Sequence, residues 1–250
     1  MQREIGMVNI PGELAEVLRN ARHVAVLTGS GISAESRIPT FREAQTGLWE
    51  RYDPLQLATP EAFGRDPELV WNWYAWRREL VERAGPNAGH LALSELEDLV
   101  PDITLITQNV DGLHSQAGSR NVIELHGNIM RTKCSVEGVI VEEYDDGAAP
   151  PVCKSCGAPL RPDVVWFGEA LPAEAIEIAS SAARGCDVFL SVGTSSLVYP
   201  AAGLPHEALA HGAIIVEVNP DETPLTGHVH HSLRGTAGDI LPRLLAALPG

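Results

Sequence analysis

Positively charged residues are scarce in this chain. Its 250 residues include 18 lysines and arginines against 33 aspartates and glutamates, which gives a formal net charge of −15 at pH 7. A field of this sign repels nucleic-acid phosphates, and the sequence contains no basic run that would override it locally. We therefore expect no direct binding to DNA or RNA.

Long hydrophobic runs are absent as well. No uninterrupted apolar segment approaches the roughly 20 residues that a membrane-spanning helix needs. Residues 1–10 hold one arginine against one glutamate and lack both a long apolar core and a small-residue cleavage site, so they do not resemble a secretion signal. We expect a soluble, cytoplasmic protein without a membrane partner, and the sequence leaves its oligomeric state open.

Cysteine is limited to four residues. Cys153 and Cys156 form a CxxC pair, and Cys134 opens the segment CSVEG, in which a second CxxC pair would place its other sulfur at position 137. The chain has Glu137 there. In a cytosolic protein such spacing indicates metal or redox chemistry before disulfides, so the cluster is either a metal site, a damaged metal site or a set of unrelated thiols.

The hydrophobic pattern predicts an α/β fold. Short, continuous, β-branched runs are typical of buried parallel strands, and they lie at 23–28, 103–107, 121–125, 188–192 and 213–218. Helical patterns lie between several of them, at 11–20, 87–99, 172–184, 200–211 and 238–248. This alternation predicts a doubly wound parallel sheet with helices on both faces. The stretches 39–83 and 127–162 do not fit the alternation, and we expect them to form a second, smaller lobe.

A glycine-rich loop follows the first predicted strand. Gly29, Gly31 and Ala34 form the pattern G-x-G-x-x-A, which in dinucleotide-binding folds lets main-chain amides approach a pyrophosphate at a helix N-terminus. Taken alone, the pattern fits a simple tight turn nearly as well. The acidic residue that should end the second strand is also missing, since Asp53 falls in a predicted loop.

The loop is the first of an ordered set of motifs. GSGISAESRIPTFR is followed by GLW, TQNVDGLH, ELHGN, VVWFGE, GTSSLVYPAAG and VNPDETP. In this order and spacing they resemble the sirtuin family of NAD-dependent protein lysine deacylases, from about residue 14 to residue 245. The resemblance implies a Rossmann-type NAD-binding domain made of residues 1–38, 84–126 and 163–250. It also implies a small domain, with a cofactor loop and helical module at 39–83 and a zinc-knuckle module at 127–162.

The resemblance implies that NAD is the co-substrate and assigns residues to it. They are Gly29, Ser30, Gly31, Ile32, Ser33, Phe41, Arg42, Gln108, Asn109, Asp111, Gly193, Thr194, Ser195, Asn219, Pro220, Asp221 and Ala237. Ser30 stands where the family commonly has alanine, and Arg37 where it usually has glycine. We expect Arg37 to point to solvent from an ordinary backbone conformation.

His126 is the catalytic residue that the resemblance implies, with Asn109 at the nicotinamide. The acyl oxygen of the modified lysine attacks the ribose carbon that carries nicotinamide, and His126 is the general base for a ribose hydroxyl. Water then completes the reaction, and the products are nicotinamide, 2′-O-acyl-ADP-ribose and free lysine. An imidazole with a pKa near 6.5 suits proton abstraction at neutral pH.

Two groups of residues match the family's substrate site. Val165, Trp166 and Phe167 resemble the strand that pairs with the substrate backbone and lines the acyl-lysine tunnel. Tyr74 and Arg77 share one helix face at spacing i, i+3 and match the branch that removes succinyl and malonyl groups, in which they hold the distal carboxylate. We expect acyl-lysine proteins or peptides as substrates, with succinyl and malonyl removal ahead of acetyl removal. The alternative is that Tyr74 packs among tryptophans while Arg77 is solvated.

The resemblance also implies a structural zinc ion, which the family holds with two CxxC pairs. Cys134, Cys153 and Cys156 match three of the ligands, and Glu137 occupies the fourth position. Three alternatives follow: three thiolates with Glu137, three thiolates with water, or a knuckle that has lost its metal. Cys186 opens a predicted strand, where we expect a small buried residue.

Other functions share parts of this pattern. The glycine loop alone allows a Rossmann-type oxidoreductase, and the whole fold allows a mainly deacetylating enzyme, an ADP-ribosyltransferase or an NAD hydrolase. A non-catalytic module that binds NAD or ADP-ribose is disfavoured by His126 and the QNVD motif.

Overall fold

The protein is described here by a computed structural model, which covers residues 9–38, 53–145 and 147–248. Within these ranges the strands are β1 His23–Thr28, β2 Asp102–Thr107, β3 Val122–Glu124, β4 Gly127–Cys134, β5 Leu160–Val164, β6 Val188–Val192, β7 Ile214–Val218 and β8 His231–Leu233.

Short helices connect the strands. The α-helices of the described ranges are α1 Gly12–Asn20, α2 Ser30–Ser33, α3 Pro54–Leu57, α4 Pro60–Arg65, α5 Pro67–Glu82, α6 Ala88–Leu96, α7 Leu113–Gln116, α8 Ala173–Gly185, α9 Leu204–Ala210 and α10 Ala237–Ala246. Turns of 3-10 helix lie at Ala34–Ser36, Ala201–Gly203 and Thr226–His228. None of the helices in the described residues combines the length and the hydrophobicity that crossing a bilayer requires.

The main sheet is parallel and has the strand order β3-β2-β1-β6-β7-β8 within the described residues. Alternate side chains of its strands enter two separate cores. On β1, Val24 and Val26 pack under α1, α6 and α10, whereas Ala25 and Leu27 pack under α8 and α9. Both faces of the sheet are therefore covered, which explains why the strands are continuous apolar runs. The predicted α/β fold with helices on both faces is confirmed.

A second, antiparallel sheet is formed by β4 and β5 and packs against α5. Its pairing depends on Gly127, which has a φ of +78°, because a Cβ there would lie 2.2 Å from the Asp163 carbonyl oxygen. Arg78 of α5 binds the bulged part of β4, since its Nε donates to the Ile129 carbonyl at 2.6 Å. Apolar residues of 53–83 thus form a cluster with Ile129, Val164 and Trp166 apart from the main sheet. The predicted division into two domains stays a prediction.

The structure corrects two expectations about local conformation and shows a strand that the sequence did not indicate. The pattern at 200–211 is a 3-10 turn followed by α9 instead of one helix, and β8 was not predicted. Arg37 is exposed, as expected, but its conformation is left-handed, with a φ of +63°. It ends the turn Ala34–Ser36 in the way that glycine usually does, and this conformation costs a residue with a Cβ about 1–2 kcal/mol.

Candidate functional site

The motifs singled out in the sequence meet at one edge of the main sheet. β1, β2, β6 and β7 are parallel, so their carboxyl ends lie at the same edge, and each strand is followed by one of the motifs. β1 and β6 are neighbours in the sheet although they are far apart in the chain. Open α/β sheets bind ligands in the crevice at such a switch point, which makes this edge the candidate site.

The loops after β1 and β6 touch each other main chain to main chain. The Gly29 amide donates to the Val192 carbonyl at 3.1 Å, and the Gly31 amide donates to the Gly193 carbonyl at 2.8 Å. A Cβ on Gly31 would lie 2.6 Å from that carbonyl oxygen, and one on Gly29 would lie 2.8 Å from the Cα of Thr194. The glycines were interpreted from the sequence as space for a pyrophosphate. The structure adds a second reason for them, which is the contact between the two loops.

The other residues of the first loop lie in different surroundings. Ser30 is exposed, whereas the side chain of Ile32 is buried in the core under α1, α6 and α10. A contact between Ile32 and a ligand is therefore left to its main chain. The α-helix in this loop is only the four-residue α2. Phe41 and Arg42 lie outside the described residues.

Asn109 and Asp111 belong to a buried hydrogen-bond network under the loop after β1. The side-chain amide of Asn109 donates to the Gly29 carbonyl at 3.1 Å and to the Ser33 hydroxyl at 3.0 Å. The Ser33 hydroxyl donates to one carboxylate oxygen of Asp111 at 2.7 Å, and the Leu113 amide donates to the other at 3.0 Å. Burial raises the pKa of Asp111, although these hydrogen bonds act against the shift. Asp111 therefore accepts the first amide of α7 and also takes part in the site network.

Two buried histidines complete this network, and the sequence did not single them out. His114 Nε2 lies 2.9 Å from the Thr28 hydroxyl, and its ring lies 4.8 Å from the ring of His90. Burial lowers the pKa of His90 to about 4 and that of His114 to about 3, so both are neutral at pH 7. The sequence signal for a structural role of His90 was its position three residues after Asn87, which caps α6. There its Nδ1 accepts the main-chain amide of Asn87 at 3.3 Å.

His126 follows β3 at the same edge of the sheet. Its Nδ1 lies 2.8 Å from the Gln108 carbonyl oxygen, which can only accept a hydrogen bond. Nδ1 therefore carries the proton, and Nε2 has the free electron pair that a general base uses. Burial lowers the pKa of His126, although the bond to Gln108 acts in the opposite direction. The ring is thus neutral at pH 7 and held in one tautomer.

Thr194 joins three of the loops. Its hydroxyl accepts the side-chain amide of Gln108 at 2.9 Å, and its carbonyl accepts that of Asn219 at 2.8 Å. Among the other predicted NAD residues, Ser195 is half-buried, Pro220 and Asp221 are exposed, and Ala237 is buried at the start of α10. The structure thus brings the loops after β1, β2, β6 and β7 into direct contact.

Tyr74 and Arg77 lie on α5, beside the second sheet. Tyr74 is buried and its hydroxyl oxygen accepts the indole N–H of Trp166 at 3.0 Å. The guanidinium of Arg77 lies 5.0 Å from the centre of the Trp73 ring. Burial raises the pKa of Tyr74 to about 12 and lowers that of Arg77. Tyr74 packs against Trp73 and Trp166, in keeping with the alternative drawn from the sequence, whereas Arg77 is half-buried.

Val165, Trp166 and Phe167 do not continue the strand that the sequence indicated. β5 ends at Val164, and the chain then turns. The amides of the three residues already donate within the chain, to the His126 carbonyl, to Glu169 and to the Ala58 carbonyl. Strand pairing with a substrate would therefore have to use the carbonyl groups of this turn. Phe167 is 43% exposed, whereas Trp166 is only 2% exposed.

Comparison with known proteins decides the family. The sequence profile of the Sir2 family matches residues 29–200, which is more than half of the chain. The chain belongs to the Sir2 family. Among relatives of this Sir2 chain, an NAD-dependent protein deacylase from Methylococcus capsulatus is 52% identical over 245 residues, covering 94% of this chain and 96% of that protein. An NAD-dependent protein deacylase from Thermus thermophilus is 52% identical over 241 residues, covering 95% of this chain and 94% of that protein.

Solved structures of Sir2 proteins share the fold. A crystal structure of a Sir2 homologue with NAD superposes with a TM-score of 0.90 at 47% identity, covering 96% of this chain and 94% of that one. A Sir2 structure with a p53 peptide and NAD⁺ superposes with a TM-score of 0.82 at 31% identity, covering 94% and 96%. The Rossmann-type fold expected from the sequence is thereby confirmed for this Sir2 chain.

The Sir2 chain also contains a cluster that fits a structural zinc ion. One ligand atom from each of Cys134, Glu137, Cys153 and Cys156 lies within 4.8 Å of the other three. The sulfurs of Cys134 and Cys156 are 3.5 Å apart, and a carboxylate oxygen of Glu137 lies 3.7 Å from the Cys153 sulfur. Four such atoms match the number and the type of donors that structural zinc sites use. The three thiols are therefore not unrelated.

Cys186 lies outside this cluster, as the sequence indicated. It is buried with the apolar residues under α8 and α9, and its thiol donates to the Ala183 carbonyl at 3.3 Å. Burial raises the pKa of this thiol to about 11. Cys186 is a small core residue.

Proposed function

We propose that this chain is an NAD-dependent protein lysine deacylase. Relatives with about half of their residues identical carry this name, and Sir2 homologues of the same fold bind NAD and a peptide. The single observation that carries the proposal is the state of His126, which presents a neutral ring with an unprotonated Nε2 at the carboxyl edge of the sheet. A general base at this edge is what deacylation requires of the protein.

The loops around Thr194 would hold the co-substrate. NAD supplies a ribose carbon that becomes electrophilic as nicotinamide leaves. Asn109 and Asp111 would bind nicotinamide and the adjacent ribose, because their amide and carboxylate are fixed by Ser33 below the loop. The loops at 29–33 and 193–195 would bind the phosphates and ribose, and residues 219–221 with Ala237 the adenosine side.

His126 would take a proton from a ribose hydroxyl at its Nε2 atom. The bond from Nδ1–H to the Gln108 carbonyl would stabilise the imidazolium that forms, because a carbonyl dipole favours the charged ring. The ring would then give this proton to the departing lysine nitrogen, and water would add to the acyl carbon to complete 2′-O-acyl-ADP-ribose.

Tyr74 and Arg77 would select acyl groups that end in a carboxylate. Burial raises the pKa of Tyr74, so the hydroxyl stays a hydrogen-bond donor at any physiological pH. Burial lowers the pKa of Arg77, and a carboxylate beside the guanidinium would stabilise its charged form. We infer that succinyl and malonyl groups are preferred and that acetyl groups are a second substrate. An enzyme that mainly deacetylates is the alternative.

Product analysis tests the proposal. NAD is incubated with succinyl-lysine, acetyl-lysine and unmodified peptides, and the products are identified by mass spectrometry. We expect nicotinamide and 2′-O-acyl-ADP-ribose only with acylated peptides. Nicotinamide release without acyl-lysine would instead indicate an NAD hydrolase, and a modified protein acceptor would indicate an ADP-ribosyltransferase.

The acyl preference is tested with Arg77→Met and Tyr74→Phe. We expect Arg77→Met to lower kcat/KM for the succinyl peptide by at least about tenfold, since a charge-assisted bond contributes about 1.5–3 kcal/mol. The acetyl peptide is the matched control within each variant, because it offers no carboxylate. Equal losses of kcat/KM on both peptides would contradict the binding of the acyl carboxylate by Tyr74 and Arg77.

Zinc would be held by Cys134, Cys153, Cys156 and Glu137, away from the sheet edge. Glu137 accepts the Ser155 hydroxyl at 3.1 Å, which orients its carboxylate toward the thiols. Such a site would stabilise the small module and take no part in the chemistry. Acyl-lysine proteins remain the proposed partners, and the cytoplasm the proposed location.

A further inference from the structure

Arg161 is a buried cation that none of the family motifs above singles out. It lies on β5, and its side chain is only 7% exposed. Its two terminal nitrogens donate to the two carboxylate oxygens of Glu169, at 2.6 and 2.9 Å. A bidentate pair between a buried arginine and a half-buried glutamate has a defined geometry, unlike most ion pairs on protein surfaces.

The pair fixes both ends of the turn at 164–169. Arg161 Nη2 also donates to the Val164 carbonyl at 2.8 Å, which is where the turn begins. Glu169, where the turn ends, accepts the Trp166 amide at 2.8 Å and donates its own amide to the Trp166 carbonyl at 3.0 Å. The conformation of the turn that carries the proposed substrate residues is therefore held by the guanidinium of Arg161 and the carboxylate of Glu169.

The same guanidinium holds the indole of Trp166. Its central carbon lies 3.2 Å from the centre of the indole ring, which is a close stacking contact. The ring of Phe63 lies 5.2 Å away from the indole. Trp166 is thus fixed in position, and the direction of its N–H is fixed with it.

The direction of that N–H determines what Tyr74 can do. An indole N–H can only donate, so the Tyr74 oxygen is the acceptor in the 3.0 Å bond between them. The hydrogen of the Tyr74 hydroxyl must then point away from Trp166, and it is free to donate to another group. A carboxylate, which only accepts, is the group that such a donor beside Arg77 recognises.

We propose that Arg161 is a positioning residue, which fixes the peptide-binding turn through Glu169 and Val164 and orients the Tyr74 hydroxyl through Trp166. The inference rests on the proposed function of the site and extends it to a residue that touches neither NAD nor the acyl group. It predicts that loss of Arg161 weakens peptide use and acyl selectivity together, and leaves NAD use unchanged.

The test compares Arg161→Met, Arg161→Lys and Glu169→Gln with the wild type. KM for peptide, KM for NAD, kcat and Tm are measured with acetyl and succinyl peptides. For Arg161→Met we expect KM for the peptide to rise about tenfold, which corresponds to about 1.4 kcal/mol. We also expect a lower ratio of succinyl to acetyl kcat/KM, with KM for NAD unchanged. Lysine keeps the positive charge but cannot donate two parallel hydrogen bonds. The peptide KM of Arg161→Lys should therefore lie between those of the wild type and Arg161→Met.

Arg78→Met is the matched control for loss of stability. Arg78 is another arginine that binds main-chain carbonyls, those of Ile129 and Arg131, and lies over a tryptophan, 5.1 Å from Trp71. These bonds go to β4 and not to the turn. We expect Arg78→Met to lower Tm without changing KM for the peptide or the acyl ratio.

A fall in Tm of Arg161→Met with unchanged peptide KM would overturn the proposal, and so would equal increases of both KM values. If Arg161→Met does not fold, Glu169→Gln removes the charge from the same pair without losing volume and decides in its place. If the wild type turns over no acylated peptide, the proposed function is what fails. Direct titration of the succinyl peptide then decides the proposal: weaker binding to the variants supports it, and equal affinity overturns it.

Discussion

At the scale of single residues, the site depends on the protonation state of one imidazole. His126 donates from Nδ1 to a main-chain carbonyl, and burial holds its pKa below the usual 6.5. Nearby, His90 and His114 are also neutral, but they lie deeper and bond to hydroxyls. Of these three rings, His126 is the one whose Nε2 lacks a described bond to another side chain.

The pKa of His126 gives a testable pH profile. A general base works when deprotonated, so activity should fall as the pH drops through its pKa. Because burial holds that pKa below 6.5, kcat/KM should be constant from about pH 7 upward, with its acidic midpoint below 6.5. Nicotinamide release at saturating NAD measures this, and His126→Ala should lower kcat by about 10²–10⁴. A midpoint above 6.5, with the fold intact by circular dichroism, would contradict the assignment.

At the scale of elements, two loops can approach each other closely because the residues at their contact are glycines. The loops after β1 and β6 meet at Gly31 and Gly193, with an amide-to-carbonyl distance of 2.8 Å. This contact joins the strands on either side of the switch point, so it sets the width of the crevice there.

Gly31→Ala should therefore destabilise the whole fold as well as weaken NAD use. The added Cβ would lie 2.6 Å from the Gly193 oxygen, and such overpacking costs about 1–3 kcal/mol. Gly64→Ala is the control, because Gly64 lies in α4 with nothing within 4 Å of an added Cβ, and alanine there should stabilise by about 0.5–1 kcal/mol. Urea unfolding of both variants measures the difference, and equal stabilities would refute the packing argument.

The zinc-knuckle module gives a second prediction for an element. Protein purified without chelator should contain about one zinc ion per chain, since structural zinc sites use four such donors. Glu137→Ala should release zinc faster to a chelator, and Glu137→Cys should release it more slowly because it restores the fourth thiolate. Elemental analysis and chelator kinetics give the answer, and wild-type protein with almost no zinc would favour the alternative that the metal has been lost.

The sequence was sufficient to predict the strands that are buried on both faces, because each of them is a short, mainly apolar run. β1, β6 and β7 are continuous apolar runs, and their predicted bounds differ from the observed ones by one residue at most. β8 is three residues with a half-buried histidine, so no hydrophobic run signals it. Pairing of β4 with β5 joins segments about thirty residues apart in the chain, and nothing local encodes it.

The candidate site divides in the same way. Motif order predicted which loops meet, because parallel strands end at one edge. The conformation of Arg37 was predicted wrongly, although the glycine that the family usually has at this position was a signal for a left-handed residue. Arg161 was missed for another reason: its role comes from contacts with Trp166 and Glu169, which only the folded chain reveals.

At the scale of the whole molecule, the net charge of −15 acts against the local charge of Arg77. The overall field attracts lysine-rich proteins, whereas a succinyl group carries a negative charge into that field. Discrimination between acyl groups must therefore come from short-range contacts, and the long-range field acts on the residues around the modified lysine.

Salt should separate the two contributions. The Debye length is about 10 Å at 0.1 M salt, so long-range attraction is largely screened there. We expect kcat/KM for acyl peptides flanked by lysines to fall between about 10 mM and 0.2 M salt, and that for peptides flanked by glutamates to stay level or rise. The preference for succinyl over acetyl should change less. A lysine-flanked peptide that is insensitive to salt would show that the overall field plays no part.

The bond between His126 and the Gln108 carbonyl has a consequence for sequence variation. Every residue has a main-chain carbonyl, so the base would keep its tautomer whichever amino acid replaced Gln108, provided that the loop kept its shape. The side chain of Gln108 is different, because its amide contacts Thr194. A saturation library at position 108 should therefore vary widely in affinity for NAD while the acidic midpoint of its active members stays in place. Substitutions at position 108 would then leave the pKa of the catalytic base unchanged and alter the affinity for NAD.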